Sequence, residues 1–174
     1  VSSNNQITAS YNTGSIFGLS QVGGLVGNVS SNNQITASYS SGYVSGAPSN
    51  IGGLIGNSNS NNTISNSYWA IDSSGQAISD DSSEDTGYVG LTLATLQCAT
   101  NLSVSGCVSS DGSDEGLNEA LILYENWDSS GYWDFGTSEQ LPGLILNGVV
   151  YRDSDSDGSL DGNDAFPNER AASL

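Results

Sequence analysis

The chain has 174 residues, 36% of them hydrophobic and 22 of them glycine, with 19 acidic and 2 basic side chains, no histidine and a formal net charge of -17. Such a balance repels phosphate backbones and anionic lipid, which excludes nucleic acid and membrane surfaces as partners, and the missing histidines argue against a zinc site. The low apolar content favours an elongated core, fed by many small contributions, over a single large one.

The first 71 residues contain no Asp, Glu, Lys or Arg. Val1–Tyr11 and Val29–Tyr39 are the same eleven residues, VSSNNQITASY, and a looser third copy, SNSNNTISNSY, runs from Ser58 to Tyr68. Between copies lie VGGLVGN (Val22–Asn28) and IGGLIGN (Ile51–Asn57). A period of about 28 residues is the signature of a stacked array. An uncharged Ser/Asn/Gly composition also suits a disordered linker, but regularly placed Ile, Val, Leu and Tyr argue for burial. In the second copy Gln34, Thr36 and Ser38 alternate with Ile35, Ala37 and Tyr39, the period of a half-buried strand. The equivalent residues Ile7, Ile35 and Ile64, and likewise Tyr11, Tyr39 and Tyr68, are expected to stack about 4.7–4.9 Å apart. No single copy can bury such a column alone. Asn4-Asn5, Asn32-Asn33 and Asn61-Asn62 suit tight corners, and their amides suit ladders along the stack. Gly23-Gly24 and Gly52-Gly53 allow a sharp bend where a neighbouring copy passes close by. Each copy should hold three short strands, near Gln6–Ser10, Ser15–Phe17 and Gly24–Val26.

The expected fold is all-β: a parallel β-solenoid (β-helix) over residues 1–71, an irregular, partly helical C-terminal cap over 72–150, and an acidic spacer over 151–174. Because the chain opens at the start of a repeat, further repeats of its own chain are expected upstream.

The pattern GGLVGN, then a polar stretch, then QITASYNTG resembles the bacterial GLUG-motif repeat. Its residues here are Gly24-Leu25-Val26-Gly27 and Gly53-Leu54-Ile55-Gly56. SYWAIDSSGQ and GYWDFGTSEQLPGLILNG resemble the terminal portion of such arrays, so the resemblance extends over Val1–Gly148. It implies a large secreted or cell-surface bacterial protein of adhesin type. Some relatives of that kind carry a metalloprotease domain, but no His-Glu-x-x-His motif occurs here.

After Trp69 the repeat lapses. The run DDSSED, Asp80–Asp85, reads as a solvated loop. Leu91–Leu96 suits a short helical turn, and Leu117–Tyr124 has helix spacing with Leu117, Leu121 and Tyr124 on one side. Cys98 and Cys107 fit one disulfide in an oxidising compartment, or two buried free thiols. Trp127, Trp133 and Phe135 read either as a sugar-stacking platform together with Tyr132, or as a cap closing the end of an array. No apolar run reaches transmembrane length, so membrane insertion is not expected.

The tail reads RDSDSDGSLDGNDAFPNER. Asp153 to Asp164 matches a twelve-residue calcium loop, with Asp153, Asp155 and Asp157 at positions one, three and five. Gly158 stands at the sharp turn, Ser159 would offer its carbonyl, Asp161 takes position nine, and Asp164 takes the twelfth in place of Glu. Alternating carboxylates can wrap a hard cation, here Ca2+, and without one they repel each other. The following Ala165-Phe166-Pro167 resembles the thrombospondin type 3 calcium repeat, which implies a calcium-stiffened spacer. With one loop and no flanking helices, affinity of about 10⁻⁴–10⁻³ M is expected.

These readings converge on a structural or adhesive module whose ligand is a surface glycan or protein. A carbohydrate-binding solenoid is the alternative. Catalysis is not expected: solenoid lyases and hydrolases need paired carboxylates, and residues 1–71 carry none. An ice-binding face is also weak, because the Thr8–Thr36 column continues as Ser65.

Overall fold

The computed structural model describes residues 1–46, 49–59, 61–77, 87–97, 108–109, 121–124, 127, 131–136 and 140–167. The chain forms two compact units: Val1–Leu93 with Ser156–Gly158, and Ala94–Asp155 with Ser159–Leu174. The regular structure among the described residues is mostly strand, gathered into several small sheets, with little helix. No helix among them is long and apolar enough to cross a membrane.

In the first unit each copy folds as a series of very short strands. The first copy holds β1 (Gln6–Thr8), β2 (Tyr11–Asn12), β3 (Ile16–Phe17), β4 (Val22–Gly23) and β5 (Val26–Val29). The second holds β6 (Gln34–Thr36), β7 (Tyr39–Ser40), β8 (Val44–Ser45), β9 (Ile51–Gly52) and β10 (Ile55–Ser58). The third begins with β11 (Thr63–Ser65) and β12 (Ser67–Ala70). There are thus five strands per copy where the sequence suggested three. The added breaks have a local cause. Ala9, Ala37 and Asn66 take φ of 49°, 50° and 47°, which ends the first strand two residues early. The bend at Gly24-Leu25 divides β4 from β5. At the other end of β1, β6 and β11, Asn4, Asn32 and Asn61 sit at φ of 62°, 61° and 68°, a conformation that Asn tolerates well.

Equivalent strands pair in parallel and in register. Ile7 pairs with Ile35, and Ile35 with Ile64. Tyr11 pairs with Tyr39 and Tyr39 with Tyr68, and the rings of the first two stack at 5.3 Å and 10°. The pairs β3–β8, β4–β9 and β5–β10 repeat the pattern in three further two-stranded sheets. A single-turn helix, α1 (Ile71–Ser74), follows, and then β13 (Tyr88–Leu91) lies parallel to β12, placing Val89 beside Tyr68. This fourth layer is absent from the sequence expectation. The buried core runs along the stack as Val26, Val29, Ile35, Leu54, Ile55, Ile64 and Trp69, with Ile7, Leu25 and Tyr88 partly buried against it.

Asparagine amides link the copies along one edge. Asn33 Oδ1 accepts from Asn5 N at 2.9 Å and from Asn5 Nδ2 at 3.2 Å. Asn62 Oδ1 accepts from Asn33 N and Nδ2 at 2.9 and 3.3 Å. Asn33 Nδ2 also donates to Ser30 O at 3.0 Å. Asn33 is only 2% exposed, so water cannot replace these partners. Asn33→Ala should therefore cost about 2 kcal/mol, read from the urea midpoint, through the desolvated groups it orphans. Asn4→Ala, at an exposed position, loses only a turn preference and should cost less than half as much.

In the second unit α2 (Leu93–Leu96) begins at the boundary, as the short turn expected there. β14 (Val108–Ser109) pairs antiparallel with β15 (Leu121–Ile122). The helix expected over 117–124 is therefore corrected at its described end. Pairing with β14 overrides the helical spacing, and Tyr124 sits at φ 67°, outside helical space. β16 (Trp133–Asp134), β17 (Gly143–Leu146) and β18 (Val149–Tyr151) form an antiparallel sheet in that order. Asn147 and Gly148, both at positive φ, close the β17–β18 hairpin, as a two-residue loop requires. Arg152 forms an ion pair with Asp134, and its Nε donates to Leu141 O at 2.7 Å. Cys98, Cys107, the run Asp80–Asp85 and the start of the 117–124 segment lie outside the described residues.

Candidate metal centre

The loop after β18 carries the acidic motif. Asp153, Asp155 and Asp157 alternate along the chain, and one carboxylate oxygen from each converges so that all three lie within 4.8 Å of one another. Asp153 and Asp155 are 1% and 3% exposed, while Asp157 is half-buried. At an effective dielectric of about 20, two full charges at that separation repel by roughly 3 kcal/mol. A divalent cation at the point of convergence removes that repulsion. One buried oxygen of each inner carboxylate, Asp153 Oδ1 and Asp155 Oδ2, accepts no hydrogen bond, although both residues make other interactions. A compact all-oxygen set of this kind fits a hard cation, so the three aspartates can hold a metal ion.

Of the other predicted ligands, Asp161 and Asp164 are not in that cluster and make other hydrogen bonds. Asp161 accepts from Ser154 N through Oδ1 and from Ser154 Oγ through Oδ2, both at 2.7 Å. Gln140 Nε2 donates to Asp161 Oδ2 at 3.4 Å, and Asp161 N donates to Arg152 O at 2.8 Å. Asp161 thus pins the residue that stands between two converging carboxylates. Asp164 Oδ1 accepts from Phe166 N at 2.9 Å, a local turn within the tail. Ser159 is exposed beside Gly158. Gly158 has φ 97° with open space around it, so its backbone angle, rather than crowding, calls for glycine there. Ser154 and Gln140 were not singled out in the sequence. Their role follows from the folded path of the loop, and no spacing rule signals it.

The aromatic residues of the second unit form a packed cluster. Trp127 lies 4.7 Å from Tyr124 and 4.8 Å from Trp133 between ring centroids, and Phe135 stacks on Tyr124 at 5.7 Å. Trp127 and Trp133 are 1% and 5% exposed, so neither offers a ring face to a sugar. Tyr132 is exposed, but a platform built on the two tryptophans is not available in this arrangement. Comparison with known proteins adds no assignment: no family model, no curated protein and no solved structure matches the chain.

Proposed function

We propose that the chain is a structural module of a secreted or cell-surface bacterial protein: a parallel β-solenoid of GLUG-type repeats that continues into a calcium-binding spacer. The observation that carries this reading is the in-register parallel pairing of identical segments from successive copies. Absence of charge from residues 1–71 also supports it, since a stack of uncharged side chains accumulates no repulsion as it lengthens. The three converging aspartates support a metal-dependent tail. Calcium suits them better than magnesium, whose near-ideal octahedron is harder to build from one flexible loop. Such a module presents or spaces an adhesive surface whose ligand, a glycan or a protein, is recognised without catalysis.

Calorimetry on the calcium-stripped chain tests the metal site. Saturable binding near 10⁻⁴–10⁻³ M is expected, with magnesium at least tenfold weaker. Asp155→Asn should weaken calcium binding tenfold or more, because it removes one of three converging charges. At a calcium concentration 100 times the dissociation constant, the native state should gain about 2.7 kcal/mol, seen as a higher thermal midpoint. No binding heat together with an unchanged midpoint would remove calcium from the reading.

A further inference from the structure

Two aromatic rings stand outward on one side of the repeats, and neither was singled out in the sequence. In β3 and β8, Ile16 pairs with Val44, and Val44 is buried. Residues next to an inward side chain on a strand face the opposite way. Phe17 follows Ile16 and Tyr43 precedes Val44, and they are 72% and 44% exposed. Their rings lie 6.0 Å apart at 55°. Tyr43 belongs to the middle copy. Its carbonyl accepts from Ile16 N at 2.7 Å on one side, and Gly75 lies against its ring on the other. Its exposure is therefore lateral and owes nothing to where the stack begins.

In the third copy α1 follows β12 directly, where the earlier copies have β3 and β8. The residues after α1 close onto the second copy: Gln76 Nε2 donates to Val44 O at 2.8 Å. Gly75 takes φ 72°, and a Cβ there would meet Tyr43 Cε2 at 3.3 Å. Gly75 also lines an open, mostly apolar groove of about 390 Å³ with Ile71, Asp72, Ala77 and Thr92. That volume suits a small ligand. Asp72 is exposed, and its Oδ1 accepts from Ser73 N and Leu93 N at 3.1 and 2.8 Å. Asp72 Oδ2 and Tyr43 Oη make no hydrogen bond among the described residues.

We propose that this strip, the Phe17 and Tyr43 rings with the adjoining groove, binds a neutral carbohydrate. The inference rests on the adhesive-module reading and gives it a surface and a ligand class. The rings suit the C–H face of a sugar, and Tyr43 Oη and Asp72 Oδ2 suit its hydroxyls. Arg152 and Arg170 are the only basic residues, and neither lies in residues 1–93. Phosphate, sulfate and uronate groups therefore meet no counter-charge, and the net charge of -17 repels them. A second copy carries the same charge and is repelled as well. An apolar peptide would leave the Asp72 carboxylate dry and unpaired. A stable protein partner covers about 800 Å², more than two rings and one groove present. Two rings in mutual contact enclose no cage for a quaternary ammonium ion.

Affinity electrophoresis of the full chain tests this, in gels that contain mixed-linkage β-glucan, xylan, mannan or dextran. Alginate and chondroitin sulfate form the acidic arm. At least one neutral polymer should retard the chain, and neither acidic polymer should. Tyr43→Ala should weaken the retardation about tenfold, the loss of one aromatic stacking contact. Phe17→Ala should weaken it too, while Tyr43→Phe, which keeps the ring, should retain most of it. All three positions of change are exposed, and an unaltered thermal midpoint checks the fold. Tyr132→Ala, an exposed ring in the second unit, should change nothing. The proposal is overturned if no neutral polymer retards the chain, if only the acidic ones do, or if Tyr43→Ala migrates as the unmodified chain does. Sedimentation showing a dimer that Tyr43→Ala abolishes would assign the strip to a second copy. Saturable binding of tetramethylammonium, lost in the same variant, would assign it to a cation. Either result also overturns the proposal. Hydrogen exchange at Ile35 reads the stack separately. Fast exchange there counts against the solenoid reading, whereas slow exchange without retardation counts against this surface alone.

Discussion

Replacing Ile35 by alanine should lower the stability of the repeat unit by about 4 kcal/mol, while the same change at Ile7 should cost about 1.5 kcal/mol. The two side chains lie in the same local sequence and pair with each other in register. Propensity and strand chemistry therefore cancel in the comparison, and what remains is packing. Ile35 is covered by Ile7 on one side and Ile64 on the other and is 0% exposed, so its removal leaves a closed apolar void. Among the described residues Ile7 pairs on one side only and is half-buried, so water or a shifted chain fills part of the space. Ile64 is buried as well and should resemble Ile35. Urea unfolding followed by far-UV circular dichroism measures all three. Equal costs at positions 7 and 35 would mean that the column contributes no cooperative burial. A loss of 4 kcal/mol is a large share of the roughly 5–15 kcal/mol that holds a domain of this size together, so partial unfolding at ambient temperature is expected for Ile35→Ala.

The apolar columns were legible in the sequence because exact repetition fixes register: once Val1–Tyr11 recurs as Val29–Tyr39, only one pairing sets Ile on Ile and Tyr on Tyr. The corners were half legible. Asn4, Asn32 and Asn61 announce a left-handed bend, whereas Ala9 and Ala37 give no turn signal and adopt one all the same. Only Asn66, at the matching place in the third copy, hints at it. The fourth layer escaped notice because Tyr88–Leu91 lacks the Asn-Asn corner that marks the others. In the tail, the alternation of Asp153, Asp155 and Asp157 was sufficient to locate a converging set, since residues two apart in an irregular loop readily turn their carboxylates the same way. The fate of Asp161 was not. It depends on Ser154 lying within reach seven residues back, which a linear motif does not encode. The Leu121–Tyr124 stretch shows the converse, a local helical period overruled by a strand partner twelve to fourteen residues away.

Gly53→Ala should destabilise the same unit by about 3 kcal/mol, the upper part of the range for overpacking. Register places Asn12, Ser40 and Trp69 in one column, so the third copy carries an indole where the earlier two carry small polar groups. The indole is accommodated by Gly53, in the bend between β9 and β10, and by Gly90 on β13. A Cβ built on Gly53 meets Cδ1, Nε1 and Cγ of Trp69, and one built on Gly90 meets Cζ2 and Cε2 of the same ring. The sequence suggested that the Gly52-Gly53 pair admits a passing backbone; at Gly53 it admits a side chain. The ring has little freedom to retreat, because it is 6% exposed and its Nε1 donates to Gln76 O at 2.9 Å. A methyl at position 53 must therefore either displace the indole and break that hydrogen bond, or push the strand that carries it. A double-mutant cycle isolates the effect. In a Trp69→Ala background the three atoms nearest to the new methyl are gone, and Gly53→Ala should then cost less than about 1 kcal/mol, a coupling of about 2 kcal/mol. If the glycine substitution costs the same in both backgrounds, the constraint at position 53 is one of backbone conformation, and the indole does not explain the glycine.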